Sequence, residues 1–596
     1  MVRNKLLFQK MLPLLLAFLL TLAACGPAQP GPDDAGTPGG SSTGEKGPPG
    51  QDDTGGGPDT SGEGETDTPG EVLTLASGGV SSYRIVHGYS SLDAIAAVRE
   101  FGALLEELTG ADIPVYNALR DAPAEQPAEI VVGYVPARRG STGLYASLTY
   151  SGVEVRVEGE TIYIGAYTLS NLEKGVSFLT EAISKRENGD VVLPADYAYT
   201  HDDSEFGSEV PRYGAQPAGV NSAGSGNYEA TFENVDAAAF EGYAAALESA
   251  GFAAYQTNVI GENRFGVYTK GQTQVSLSYY PSKQLFKLVY GGKGYLPSLT
   301  REEGPQLCTP SVTQPGRRGA DLSSPDGAPG MSYIFQLPDG RYILVDGGPG
   351  NADDEAALLA FLQEHKPAGH EKPVIAAWFF THAHGDHMQL ACNFLRAYTD
   401  EIVLELVAYN FPDFDSLTLT HDSAKALGDQ VQTLVRTVDI YYRDAATLVL
   451  HTGMRFWIGE AEIEILYTPE DFAPTTLPTG NHTSCAFRVR LGGKSILLLG
   501  DCERELCQFM ADVYGEELKS DILQLTHHGY NGACLDLYQY IDPDICFWAS
   551  DEYRFLNDPR CLGTAAGYEF NAWIRDDSIR RREHYHCSAD TTIPLG

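Results

Sequence analysis

Six consecutive residues of this 596-residue chain hold three imidazoles and a carboxylate: His382, His384, Asp386 and His387, within Thr381-His-Ala-His-Gly-Asp-His387. Borderline cations such as zinc take imidazole nitrogen and carboxylate oxygen at about 2.0–2.2 Å, so one such loop can serve two adjacent metal positions. Alternation sends His382 and His384 one way, and the turn at Gly385 brings Asp386 and His387 round to another side. Two later segments carry matching groups. Ser495-Ile-Leu-Leu-Leu-Gly-Asp501 ends in a carboxylate, which can bridge two cations with one oxygen to each. Asp521-Ile-Leu-Gln-Leu-Thr-His-His-Gly529 ends in His527 and His528. One of that pair is expected to ligate; the other would hydrogen-bond a substrate oxygen or protonate a leaving group. Paired cations about 3.5–4 Å apart are hydrolytic equipment, because they lower the pKa of a shared water and neutralise transition-state charge.

Each group follows an apolar run short enough to be a buried strand, Val374–Phe380 before the histidine loop being the clearest. Upstream, Ser332–Leu337 and Arg341–Asp346 read as a hairpin across Pro338-Asp-Gly340, with Asp346-Gly-Gly348 ending the second strand. Helices are predicted over Asp354–His365, Gln389–Tyr398 and near Asp422–Val435, with further strands over Val403–Ala408 and Glu462–Leu466.

His-x-His-x-Asp-His after an apolar strand resembles the metal-binding signature of the metallo-β-lactamase superfamily, over about residues 325–596. That resemblance implies an α/β fold, a four-layer αββα sandwich, here preceded by two small α/β or α+β accessory domains. It implies two divalent metal ions, Zn2+ first and Mn2+ as the alternative. It also assigns Asp346 to orienting the histidine loop, in keeping with the need to fix the far nitrogen of a ligating imidazole. The superfamily often has a ligand histidine between the histidine loop and the bridging Asp. Here Gly480-Asn-His-Thr-Ser-Cys-Ala-Phe487 is more similar to the Asn-x-x-Ser phrase of competence-type DNA-uptake hydrolase domains, which leaves His482 open as a ligand. Gly500-Asp-Cys-Glu503 with His-His-Gly resembles that branch and the teichoic-acid phosphorylcholine esterases, both acting on phosphodiesters. Tyr530 stands where the competence type usually has Ser. Glu503 reads either as a contact for a cationic head group or as a solvated helix-start residue. An all-His/Asp site is favoured over one using the Cys502 thiolate, and His584-Tyr-His586 reads either as two imidazoles on one strand face or as a surface strand.

The rest of the chain sets the context. Residues 1–25 combine Arg3, Lys5 and Lys10, the apolar stretch Met11–Ala24 and Leu22-Ala-Ala-Cys25, a secretory signal that resembles a bacterial lipobox. Lipid attachment at Cys25 would hold the mature chain on the extracytoplasmic face of the membrane. Residues 26–72 are Gly-, Pro- and Ser-rich and too polar to fold, so they read as a tether. Residues 73–205 read as an α/β accessory domain whose phrases TGADIPVY, AEIVVGY and IYIGAY resemble the non-catalytic amino-terminal domain of some glycoside hydrolases. Residues 206–225 read as a linker and 226–300 as a small α+β domain rich in alternating Tyr and Phe. With 41 basic against 80 acidic residues, the formal charge of −39 disfavours broad nucleic-acid binding while leaving a local metal–phosphate contact open. Ten cysteines, one of them Cys25, form no CxxC pair, and Cys392, Cys485 and Cys546 lie in apolar runs as buried thiols. The expected function is that of a lipid-anchored metallohydrolase acting through metal-bound hydroxide on a small-molecule or cell-surface phosphodiester. The alternatives are a β-lactam or amide hydrolase and a glycan-binding surface lipoprotein with a degenerate hydrolase domain.

Overall fold

Val374–Phe379 is apolar at every position because it is a central strand with both faces covered. In the computed structural model, which describes residues 71–596 apart from 122, 225–226, 319–329, 416 and 472–475, it pairs in parallel with Tyr342–Asp346 and Leu406–Tyr409. Its sheet runs in the order Ala446–Val449, Leu406–Tyr409, Val374–Phe379, Tyr342–Asp346, Ser332–Gln336, Ser311–Gln314, Thr591–Pro594. A second sheet runs Arg455–Ile458, Ala461–Tyr467, Ala486–Leu491, Lys494–Leu498, Ile522–Gln524, Ile545–Trp548, Glu583–His586. Lys494–Leu498, Ile522–Gln524 and Ile545–Trp548 are mutually parallel. Their carboxyl ends, leading to Asp501 and to His527–His528, therefore open on one edge.

The two sheets share one apolar cluster, with Phe335, Val345 and Phe379 from the first meeting Phe456, Phe487 and Ile496 from the second. The outer face of the first sheet is covered by the helices Ala352–His365, Gly385–Ala397 and Ala424–Tyr441, through Leu362, Phe394 and Leu434 among others. The outer face of the second is covered by Arg504–Tyr514 and Leu535–Ile541, through Leu506, Met510 and Tyr538. The helix predicted from Gln389 begins earlier, at Gly385, inside the histidine loop.

Before this region lies a six-stranded sheet ordered Val115–Asn117, Arg84–His87, Glu129–Val132, Thr161–Ala166, Gly152–Glu158, Ala198–Asp202. A six-stranded antiparallel sheet with the helix Ala237–Ser249 follows. Two boundaries differ from the sequence reading. The expected linker 206–225 holds the strand Gly219–Gly224, which pairs with Asn227–Phe232. The first sheet of the two-sheet region also begins before residue 325, because Ser311–Gln314 bonds both Ser332–Gln336 and the distant Thr591–Pro594. Nor is the antiparallel sheet a free-standing module: Val267, Ile260, Phe265 and Tyr280 are buried inside the apolar clusters of the two-sheet region.

Residues 1–70, with Cys25 and nearly all of the tether, lie outside the described residues. Among the described residues no helix is long and apolar enough to cross a membrane, and the nine cysteines from Cys308 to Cys587 are unbridged.

Candidate metal centre

Asp346 ends its strand at a positive φ of 52° and is buried. Its carboxylate accepts hydrogen bonds from Thr381 N at 2.8 Å and Thr381 Oγ1 at 2.7 Å, and lies 2.7 Å from His387 Nδ1. It thus fixes both the start of the histidine loop and the ring of His387, whose Nε2 is left facing Asp501 Oδ1 at 3.2 Å. The other Asp501 oxygen, Oδ2, lies 3.3 Å from His528 Nε2, and Asp386 lies 3.1 Å from that same nitrogen. His382, His387 and Asp501 present ligand atoms within 4.8 Å of one another, and so do Asp386, His387 and His528.

His387 Nε2 and Asp501 Oδ1 face one another, are buried and make no hydrogen bond; on the His528 ring it is the far nitrogen, Nδ1, that is unpaired. Buried polar atoms without partners are costly, and donors crowded together without bonding one another suit a cation between them. The donor set, imidazole and carboxylate, fits zinc and similar metals.

The electrostatics agree. Burial alone would lower His387, but Asp501 and Asp346 outweigh it and hold the imidazole up at about 10. Burial is likewise overcome at His528, which Asp501 and Asp386 hold at about 10. Burial would raise Asp386 and Asp501, yet the facing imidazoles keep both below the usual carboxylate range. His382 is pushed well down by burial and by its neighbours His387 and His384. Protons on His387 and His528 therefore balance the carboxylates in the metal-free cluster, and a cation would displace them.

His384 caps the helix Gly385–Ala397; its Nδ1 lies 3.0 Å from His382 Nε2 and its Nε2 3.1 Å from Asp422. Asp422 also accepts from Gly480 N at 2.5 Å, and so ties the histidine loop to the 480 turn. The histidine pair is divided by role. His528 joins a ligand group, while His527 Nδ1 sits 3.4 Å from Glu503 and its Nε2 3.8 Å from Asp501. Glu503 stands at the start of the helix Arg504–Tyr514, where Asn481 donates to its Oε1 at 3.0 Å and its side chain is 14% exposed.

His482 belongs to neither ligand group; its Nε2 lies 3.7 Å from Glu505 and its Nδ1 3.4 Å from Thr479. The flanking residues serve the cluster instead. Asn481 lies within 3.5 Å of the His527 ring, and Ser484 Oγ accepts from Asp501 N at 3.2 Å. The Asn-x-x-Ser spacing carried that signal, whereas nothing in the sequence pointed to Asp422.

His584 and His586 stand on the last strand of the second sheet, outside both groups, with His584 Nδ1 accepting from Trp548 Nε1 at 3.1 Å. Beside them, Arg575 packs over Trp548 at 5.4 Å and Phe555 at 4.1 Å. Cys502 is buried, and burial pushes its thiol well above the ordinary value, so it stays protonated and outside the ligand groups. Two glycines are obligatory. At Gly500, φ +56°, a Cβ would meet Thr381 at 2.8 Å; at Gly529, φ +82°, it would meet the Trp548 ring at 2.2 Å. His527 and His528 themselves adopt positive φ, at about 1–2 kcal/mol each, which turns the two rings in different directions.

Residues 325–548 match the Metallo-beta-lactamase superfamily. Among solved structures, the metallo-beta-lactamase fold protein YhfI from Bacillus subtilis is 15% identical with a TM-score of 0.29, covering 48% of this chain and 99% of that one. CmlA, a diiron beta-hydroxylase from Streptomyces venezuelae, is 14% identical with a TM-score of 0.28, covering 51% and 55%. The short form of human tRNase Z is 16% identical with a TM-score of 0.23, covering 40% and 91%. A curated Escherichia coli (strain K12) protein, the uncharacterized YcaI, is 35% identical over 76 residues, 13% of this chain and 10% of its own length. The chain thus spans only a tenth of that relative. Residues 325–548 are thus similar to the metallo-beta-lactamase superfamily and carry a candidate His/Asp metal site.

Proposed function

We propose that the chain is a phosphodiesterase with a two-cation centre, held on the extracytoplasmic face of the membrane by acyl chains on Cys25. The observation that carries the two-cation reading is the division of Asp501, one oxygen beside His387 and the other beside His528. His382, His387 and Asp501 would hold one cation, and Asp386, His387 and His528 the other, with His384 outside both groups beside His382 and Asp422, and with Zn2+ favoured and Mn2+ the alternative. Such cations, when bound, supply an activated water and neutralise charge on phosphoryl oxygens. The chain's own part is positioning. Glu503 and Asn481 hold the His527 ring, whose Nε2 is placed to hydrogen-bond a leaving oxygen. The two sheets with helices outside them are read as the four-layer sandwich.

Two observations narrow the substrate. His482 faces Glu505, which disfavours a β-lactamase-like ligand set. The aromatic pair Trp548 and Phe555 already holds Arg575, which disfavours a quaternary-ammonium cage there and leaves the competence-type branch the better likeness. The test is turnover of bis(p-nitrophenyl) phosphate before and after chelation, with nitrocefin as the competing substrate. Chelator-sensitive phosphodiester hydrolysis is expected; nitrocefin turnover alone, or activity indifferent to chelation, would refute the proposal.

A further inference from the structure

Tyr530, directly after His-His-Gly, stacks on the ligand-group histidine His528 with ring centres 5.5 Å apart and planes at 24°. The guanidinium of Arg560 lies over the same tyrosine, 4.7 Å from its ring centre. Two ring contacts thus separate an arginine from the metal cluster. The arrangement is fastened rather than incidental. The fully buried Asn571 donates to Gly529 O at 2.6 Å and to Arg560 O at 2.9 Å, tying the arginine's segment to the catalytic loop. Asp558 engages Nε at 3.0 Å and Nη2 at 2.7 Å, which fixes the plane of the guanidinium. Among the described residues no hydrogen bond is made by Nη1, and the side chain is 43% exposed. It lines an open hollow with Tyr553, Arg554, Asn557 and Asp558, where Arg560 is paired with Asp558 and Arg554 with Asp551.

Asp558 takes the Nε–Nη2 edge, which leaves Nη1 and the second Nη2 hydrogen as the edge a phosphate would meet, and a fixed, part-exposed guanidinium suits that anion because two adjacent N–H groups match two oxygens. We propose that Arg560 is a specificity-determining residue that selects substrates carrying a second phosphate next to the scissile one. The inference rests on the phosphodiesterase reading and names its substrate class: consecutive phosphates rather than an isolated diester. A nucleotide chain and a polyol-phosphate chain share that chemistry.

The test uses the full chain, zinc-loaded. Calorimetry compares the phosphorothioate analogue of dTpdT with its 5′- and 3′-phosphorylated forms, and glycerol phosphodiester with and without a terminal phosphate. The kcat/KM of the corresponding phosphodiesters is measured alongside. The phosphorylated member is expected to bind about tenfold more tightly in at least one series, a difference of about 1.4 kcal/mol. Arg560→Ala should bring that ratio to near one, and Arg560→Lys should restore it only in part, because an ammonium lacks the fork. The series showing the preference identifies the backbone. If Arg560→Ala fails to fold, as judged by its thermal transition, Arg560→Gln keeps the stem over Tyr530 and serves in its place. A ratio near one in the wild type for every pair, or a ratio that survives loss of the guanidinium, overturns the inference. A preserved binding ratio without chelator-sensitive turnover would instead sink the phosphodiesterase reading and leave Arg560's selectivity standing.

Discussion

At the seam between the antiparallel accessory sheet and the two-sheet region, Lys287 Nζ lies 2.8 Å from Glu229, and Tyr280 Oη donates to Asp471 at 2.5 Å. Thr452 and Thr468 also donate to Asp471, while Asn410 and His451 meet Glu470 at 2.8 and 2.9 Å. At the metal centre the side chains are as deeply buried, yet His387 Nε2, Asp501 Oδ1 and His528 Nδ1 bond nothing. Both regions carry perturbed titration: burial lifts Asp471 to about 6, and it lifts Glu229 to about 7 against the pull of Lys287. Burial and shifted acidity therefore do not by themselves mark a functional site. The pairing of the acidic groups differs: at the seam Asp471, Glu470 and Glu229 meet hydroxyl, amide, imidazole or ammonium donors, whereas Asp501 Oδ1 faces His387 Nε2 with neither atom hydrogen-bonded.

Substitutions should separate the two regions by what they damage. The largest effect is expected from Asp501→Asn, which keeps the shape of the side chain but removes the shared charge: chelator-sensitive turnover should fall on the order of 10³-fold or more, read as kcat/KM. Lys287→Ala should act the other way. Leaving Glu229 buried without its partner should cost about 3–5 kcal/mol in denaturant unfolding, with turnover of the folded fraction kept. Equal loss of activity in both variants would erase the distinction.

Asn481→Ala touches the metal centre only through Glu503 and His527, so a smaller fall of about 10–100-fold is expected in activity or metal affinity. An unchanged kcat/KM would remove Asn481 from the positioning scheme.

Titration supplies the mildest test. His387 and His528 are held at about 10 against an ordinary 6.5, so their contribution to the metal-free fold is complete below about 6.5 and is lost as pH rises towards 10. Thermal unfolding in chelator should accordingly weaken from pH 6.5 to 9.5, while the zinc-loaded chain, its imidazoles already neutral, should not follow. The raised seam carboxyls lose stability in a lower window, as pH rises from 3.8 to about 6 for Asp471 and from 4.5 to about 7 for Glu229, and should do so with or without metal. Parallel curves above pH 7.5 would contradict proton–metal exchange at the cluster.

The parts of this picture legible in the sequence are those where local pattern and chemistry coincide. Val374–Phe379 announced itself because a strand covered on both faces must be apolar throughout, and its histidines follow at once. Gly500 and Gly529 kept their places because a Cβ at either would strike Thr381 or Trp548. What escaped depends on pairing across the chain. Asp422 reaches His384 only after the helix Ala424–Tyr441 folds back, and Ser311–Gln314 becomes a strand by bonding residues near the carboxyl end. The Gly219–Gly224 stretch looked like a linker because its Gly, Ser and Ala composition carries no strand signal until Asn227–Phe232 lies beside it. Tyr280 and Asp471, far apart in sequence, gave no joint signal.

Metal content bears most directly on the proposed centre. The purified full chain, reconstituted with zinc and desalted, should retain about two ions per chain by elemental analysis, and Asp501→Asn should retain markedly fewer. A chain that keeps no metal after reconstitution, or an Asp501→Asn variant that keeps the full complement, would contradict a centre built on that carboxylate.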